Sequence, residues 1–338
     1  MTAPLLSSLL RSILAGKAID RETARQLVQT GEPTHLWQAA DTLRQDLHGN
    51  RFHLCSIINA RSGNCSEDCR FCAQSARHHT TIPRYRLIDP DKALLIARDN
   101  DRHGVDRLSL VTSGRSVDAD SLGRLAALYG EIRARTGLRF CASMGLLTKT
   151  GAIRLREAGV SRYHCNLESS REYFPMICTT HSWEDKVSTL QIARQAGLSL
   201  CSGGIIGLGE TMDDRIDLAF ELRELDIRSI PLNIHTPIPG TPLADLPTLP
   251  IDEVLTTIAL FRLINPQAVI RLAGGRQLMG NNQYRCFRAG ANGAIVGNYL
   301  TTVGVRLERD LEELRALGFT FRRNAGCRDS QDLCLSKN

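Results

Sequence analysis

The chain has 338 residues, is 42% hydrophobic and 23% charged, and carries a formal net charge of +6. These values suit a globular protein of one large α/β domain or two ordinary ones, and they exclude disordered, collagen-like and coiled-coil classes. The basic residues are scattered, so the charge reads as a solvated surface that favours small anions and not as a nucleic-acid footprint.

The N-terminal apolar residues Leu5, Leu6, Leu9, Leu10, Ile13 and Leu14 are interrupted by Ser7, Ser8, Arg11 and Ser12. That spacing is amphipathic and helical, with no cleavage site behind it, and no stretch reaches the ~18 apolar residues of a membrane span. A cytoplasmic protein without membrane or nucleic-acid partners is expected. Eleven cysteines in a reducing compartment then point to metal ligation or catalysis more than to disulfides.

Residues 1–50 read as a helical extension. Asp20 is positioned to cap Arg21–Gln29, the run Gly31, Glu32, Pro33 breaks the pattern, and helical spacing resumes from Leu36 to Leu47. From Leu54 onward, short apolar runs alternate with amphipathic segments. Strands are expected at Leu54–Ala60, Arg107–Thr112, Leu138–Met144, Arg162–Glu168, Leu198–Ile206, Ser229–Ile234, Ala268–Ala273 and Ala294–Tyr299. Helices are expected at Ser121–Thr136, Thr150–Ala158, Asp185–Ala196, Met212–Leu225 and Ile251–Ile264, with Gly137, Gly159 and Gly197 as C-caps. Eight strand–helix units over ~250 residues predict an α/β fold, a (β/α)8 TIM-type barrel over 51–320. An open doubly wound sheet is the competing architecture. Residues 321–338 read as a polar tail.

Cys65, Cys69 and Cys72 form a CxxxCxxC loop directly after the first expected strand, at the face where barrel enzymes keep their chemistry. A closed cubane takes four cysteines, so three thiolates leave one iron open for an exogenous ligand. A zinc site with His78 and His79 is the competing reading, but zinc loops usually come as paired CxxC motifs or with histidines at set spacing.

This loop resembles that of the radical S-adenosylmethionine (SAM) superfamily. Ser62–Asn64 and Ala73–Ser75 around it, and Tyr163–Ser169, Thr179–His181, Cys201–Glu210, Ile230–Asn233, Gly240–Leu243 and Arg271–Arg276 further on, resemble the biotin synthase family in order along the chain. The resemblance runs from about Leu54 to about Gly304. It implies a [4Fe-4S] cluster whose open iron binds SAM, and a 5′-deoxyadenosyl radical that abstracts hydrogen from dethiobiotin. It also implies that sulfide from an auxiliary cluster closes the ring of biotin. An electron donor such as flavodoxin or ferredoxin and a homodimer belong to the same expectation. Related hydrogenase-maturation or mutase-type radical enzymes, and a non-catalytic iron–sulfur electron carrier, are the alternative functions.

The resemblance assigns residues by position. Phe71 and Ile205 fall near adenine, Asn166 and Glu168 on the ribose, and Lys186 near the SAM carboxylate. Asn233 and His164 fall on the substrate; a carboxamide offers a donor and an acceptor to a cyclic urea. Glu168 stands for the usual Asp, Lys186 for an Arg and His164 for an Asn. Cys141, Cys201 and Arg271 match three of the four auxiliary ligands, while the fourth position is Ser109, a poor ligand for soft iron. The family's [2Fe-2S] cluster is therefore in question, and Cys141, Cys165, Cys178 and Cys201 are the expected set for an altered, cubane-type cluster. Strand alternation turns Cys165 away from His164 and Asn166 unless a bulge intervenes. Cys55 and Cys286 are expected in the core, and Cys327 and Cys334 in the tail.

Overall fold

The computed structural model describes residues 3–30, 32–297, 300 and 307–321. Its strands are β1 (His53–Arg61), β2 (Arg107–Thr112), β3 (Arg139–Ser143), β4 (Val160–His164), β5 (Ser199–Cys201), β6 (Gly204–Ile206), β7 (Ser229–Ile234), β8 (Val269–Leu272) and β9 (Gly293–Ile295). All pair in parallel, in the order β5-β4-β3-β2-β1-β9-β8-β7-β6. The two ends of that order, β5 and β6, are consecutive in the chain. The Ser202 amide donates to the Ser229 carbonyl at 3.1 Å and the Glu168 amide to the Gly203 carbonyl at 3.1 Å, so the sheet returns on itself through this one segment.

The expected eight strands are therefore present, with Leu198–Ile206 divided in two. The cause is local. A Cβ on Gly203 would stand 1.9 Å from the Pro231 carbonyl oxygen, and one on Gly204 2.5 Å from that of Glu168. Backbones approach too closely here for a regular side-chain-bearing strand. The last strand is shorter than expected, and positions 298 and 299 lie outside the described residues.

The helices are α1 (Ala3–Leu14), α2 (Arg21–Thr30), α3 (Pro33–His48), α4 (Pro90–Arg102), α5 (Ala119–Arg135), α6 (Lys149–Glu157), α7 (Trp183–Gln195), α8 (Met212–Glu224), α9 (Ile251–Ile264) and α10 (Leu307–Ala316). Asp20 Oδ1 accepts from the Thr23 amide at 2.8 Å, as the capping pattern requires. Helix α4, not singled out above, carries the same signals: Asp89 caps it and Pro90 opens it. Gly159 and Gly197 adopt the left-handed conformation expected of them. Gly137 does not: α5 ends instead on an extended Thr136 whose hydroxyl donates back to the Ile132 carbonyl.

Helix α9 is buried from Val254 to Ile264. A helix apolar on every side needs neighbours on every side, and here α3 covers the face that the barrel leaves open. Trp37 Nε1 donates to Thr256 at 3.1 Å across that contact, and Arg21 and Arg25 pair with Asp217 and Asp213 of α8. The N-terminal helices thus pack on the barrel wall and supply part of its apolar cover. The tail from Arg322, including Cys327 and Cys334, lies outside the described residues.

Candidate functional site

The three-cysteine loop leaves the carboxyl end of β1 through Gly63 and Asn64, both in the left-handed region. Gly63 is required there, because a Cβ would stand 2.6 Å from the Arg84 side chain. The loop folds back on itself: Cys65 exchanges backbone bonds with Gln74 and Ala76, the Cys72 amide donates to Cys69, and Ser75 Oγ donates to the Glu67 carbonyl at 2.6 Å. A second segment locks it from outside. Asp68 accepts from the Thr179 and Thr180 amides at 2.9 and 3.2 Å, Thr180 Oγ1 donates to Glu67 at 2.9 Å, and His181 Nδ1 lies 2.5 Å from Glu67. The Thr179–His181 segment thus acts as a clamp on Glu67 and Asp68, the acids between Cys65 and Cys69. Burial pushes the Cys72 thiol up to about 11. Cys69 lies 3.7 Å from Cys178, and the donors that Cys65, Cys69 and Cys72 offer are soft thiols, which suit an iron–sulfur group better than a hard cation.

Asn166, Glu168 and Lys186, expected at SAM, lie where β4, β6 and α7 meet. Asn166 Oδ1 accepts from the Gly203 amide at 3.0 Å and its Nδ2 donates to Glu168 at 3.2 Å. Glu168 adopts a positive φ, which turns its carboxylate back toward Lys186 at 3.8 Å. Ser182 caps α7 through a reciprocal capping box and so fixes the helix that carries Lys186. Phe71 and Ile205 are half-buried against the same core. Asn233 bridges two strand ends: its Nδ2 donates to the Gly204 carbonyl at 3.1 Å and its Oδ1 accepts from the Gly274 amide at 2.9 Å. Each end of that carboxamide keeps one further hydrogen-bonding position.

Inside the barrel, side chains from β4, β5, β7 and β8 converge. Arg271 Nη1 donates to Ser229 Oγ at 2.9 Å, Ser229 Oγ donates to Cys201 Sγ at 3.2 Å, and His164 Nδ1 lies 3.4 Å from the same sulfur. Burial alone would raise the Cys201 thiol, but His164, Arg271 and Arg162 outweigh it and draw it down to about 6. Arg107 Nη1 approaches Cys141 Sγ at 4.0 Å. Two buried polar atoms beside this chain, Arg271 Nε and Ser109 Oγ, have no partner. Buried polar atoms without partners call for an explanation, an absent ligand or water among them. The donor set is soft, cationic and incomplete, which suits a second iron–sulfur group.

The four cysteines Cys141, Cys165, Cys178 and Cys201 do not come together. Cys178 lies beside the three-cysteine loop, its sulfur 3.7 Å from that of Cys69 and 3.3 Å from His181 Nδ1. Cys165 is packed in the apolar core, with Lys186 and Glu168 as its charged neighbours. The anticipated bulge exists: His164 pairs with Cys201 and Glu168 with Gly204, so four steps along one chain oppose three along the other. It serves to turn Glu168, not to bring Cys165 to the other thiols. His164, expected on the substrate, contacts Cys201.

Cys286 is fully buried as expected, but Cys55 is not a core residue. Along β1, Leu54, Ser56, Ile58 and Ala60 are buried, while the alternate residues keep an open face toward the lumen. Cys55 shares parity with the polar His53, Asn59 and Arg61. Those three polar side chains were the signal in the sequence that this parity faces inward.

Two family models match the chain. The Radical SAM superfamily matches residues 60–222, and the Biotin and Thiamin Synthesis associated domain matches residues 231–320. Among solved structures, methylornithine synthase superposes with a TM-score of 0.81 at 20% identity, over 94% of this chain and 98% of that one. The FeFe-hydrogenase maturase HydG from Carboxydothermus hydrogenoformans gives 0.78 at 17%, over 95% and 80%. At those identities the likeness establishes the fold. Parallel barrel, three-cysteine loop and family model together define a radical SAM enzyme.

Curated relatives narrow this further. A biotin synthase of Desulfotalea psychrophila is 56% identical over 81% of this chain and 82% of its own length, and one of Clostridium tetani 50% over 85% and 88%. The chain belongs to the biotin synthase family, as a radical SAM sulfurtransferase. The maturase-type alternative rests on fold likeness alone. An electron carrier is excluded by family membership.

Proposed function

We propose that this chain converts dethiobiotin to biotin by radical-initiated sulfur insertion, using SAM at the barrel mouth and an auxiliary iron–sulfur cluster in the lumen. The observation that carries this reading is the chain Arg271–Ser229–Cys201–His164, with two unpartnered polar atoms beside it, on the strands below the three-cysteine loop.

When bound, a [4Fe-4S] cluster on Cys65, Cys69 and Cys72 supplies the electron that cleaves SAM to methionine and a 5′-deoxyadenosyl radical, and the auxiliary cluster supplies sulfide. The protein's part is placement and exclusion of water. Asn166 and Glu168 offer a donor and acceptors to the ribose diol, and Lys186 supplies a positive charge for the SAM carboxylate. Phe71 and Ile205 pack on adenine. Asn233 addresses the ureido ring with the hydrogen-bonding positions its backbone partners leave free, and His164 bridges substrate and Cys201. No helix among the described residues is long and apolar enough to cross a membrane. A cytoplasmic enzyme reduced by a flavodoxin or ferredoxin, working as a homodimer, completes the proposal.

The test is anaerobic reconstitution followed by addition of SAM, reductant and dethiobiotin, with 5′-deoxyadenosine and biotin quantified together. Both products are expected. 5′-Deoxyadenosine without biotin overturns the substrate or the sulfur source. Neither product, from protein carrying a reducible cluster, overturns the radical reading.

A further inference from the structure

Ser109 stands where a thiolate is expected, and its buried hydroxyl has no partner. A cluster in the lumen is then one soft ligand short. Neither Cys165 nor Cys178 makes up the deficit, since one is packed in the core and the other sits against Cys69. The lumen does hold another thiol. β1 lies beside β2, with Ile57 in register with Ser109 and Cys55 in register with Arg107. Cys55 and Ile57 share the inward parity, so Cys55 is one strand over from Ser109 and one inward step toward the amino end.

Its surroundings are those of the ligand group. Arg271, Cys141, Arg162 and Cys201 are among the groups whose charge acts on Cys55, and Cys55, Cys201 and Cys141 are among those whose charge acts on Arg271. Arg271 is thus the common neighbour of three sulfurs on β1, β3 and β5. Gly293 is in register with both Arg271 and His53, and it places no side chain between β8 and β1. The Arg271 guanidinium is nine-tenths buried or more and its Nε is unpartnered.

We infer that Cys55 supplies the thiolate that Ser109 lacks, so that the auxiliary iron–sulfur group is held by Cys55, Cys141 and Cys201 with Arg271 beside them. The thiol has moved to the neighbouring strand and the number of soft ligands is kept. Three thiolates and one guanidinium are not the four-thiolate set of a closed cubane, and one iron position is again left for a non-cysteine ligand.

The inference rests on the auxiliary site proposed above, and the test separates the two. A Cys65→Ala/Cys69→Ala/Cys72→Ala background removes the loop site and leaves the lumen thiols in place. After anaerobic reconstitution with ferrous iron and sulfide, bound iron, acid-labile sulfide and the Mössbauer spectrum are measured. Adding Cys55→Ala is expected to abolish the remaining cluster, and adding Cys165→Ala to leave it unchanged. Cys55→Ser, which keeps the side-chain volume, is expected to shift the Mössbauer parameters if any iron is retained. Cys55→Ala with Ser109→Cys is expected to restore iron. A cluster unchanged in content and spectrum by both Cys55 variants overturns the assignment of Cys55. A background that holds no cluster overturns the auxiliary site and this assignment with it.

Discussion

His48 shows how one buried ring can couple pH to stability far from the chemistry. Its Nε2 lies 2.9 Å from Arg262 Nη1, which also donates to the Pro266 and Ala268 carbonyls. The same histidine nitrogen lies 2.9 Å from the Pro266 carbonyl oxygen, so it is the burial of the ring and the adjacent guanidinium that favour its neutral form. Burial, and then the charge of Arg262, lower its pKa to about 4. Between about 6.5 and about 4 the unfolded chain binds a proton that the folded chain refuses. Stability is therefore intact above about 6.5 and falls with pH toward about 4, by about 3 kcal/mol at most. Urea unfolding at pH 7.5, 6 and 5 should show this decline, and His48→Gln, which keeps an acceptor for Arg262, should flatten it. An equally steep decline in that variant would place the sensitivity elsewhere. Residue chemistry also explains which parts of the site were legible. Three thiols at fixed spacing on one loop declare themselves locally. Glu67 and Asp68 carry no such local signal, because their partners Thr179, Thr180 and His181 lie more than a hundred residues away.

Among the elements, the divided strand Leu198–Ile206 does the most for function. Its break at Ser202 and Gly203 lets one segment pair with β4 on one side and β7 on the other, closing the barrel and delivering the Gly203 amide to Asn166. Gly203→Ala should be poorly tolerated, since the clash is with the backbone of Pro231 and no rotamer relieves it. A loss of about 1–3 kcal/mol is expected, seen as a lowered melting temperature, together with weaker SAM binding in equilibrium dialysis. A variant that melts like the parent would mean that the strands shift apart at little cost. Cys165 is packed apart from Cys141 and Cys201 for a reason of this same scale. A set of four cysteines was plausible from their number, but each strand sends neighbouring side chains to opposite faces, and the bulge after His164 serves Glu168 instead.

For the whole molecule, the carboxyl-terminal part is fastened by one buried ion pair. Arg276, which opens the short helical segment after β8, meets Asp310 of α10 with both side chains fully buried, and Tyr284 donates to the same carboxylate at 3.1 Å. Removing one partner leaves an uncompensated buried charge, a loss of about 3–5 kcal/mol. Asp310→Ala should shift the urea midpoint strongly and expose α10 to proteolysis, and Asp310→Asn should do so less. If both variants match the parent, α10 is held by its apolar face alone. The N-terminal helices are bound into the same unit by the α3–α9 contact, although composition alone made them look like an appendage.

The alternation of strands and helices, the three-cysteine loop and the family are legible in the chain alone, because each is written in local periodicity or in contiguous motifs. Tertiary structure decided which cysteines share a space. The direction of a strand side chain depends on parity, bulges and the curvature of the closed sheet, and none of these is a property of the residue itself. That is why Cys55, unremarkable in the chain, stands with Cys141, Cys201 and Arg271 inside the barrel, while Cys165 and Cys178 do not.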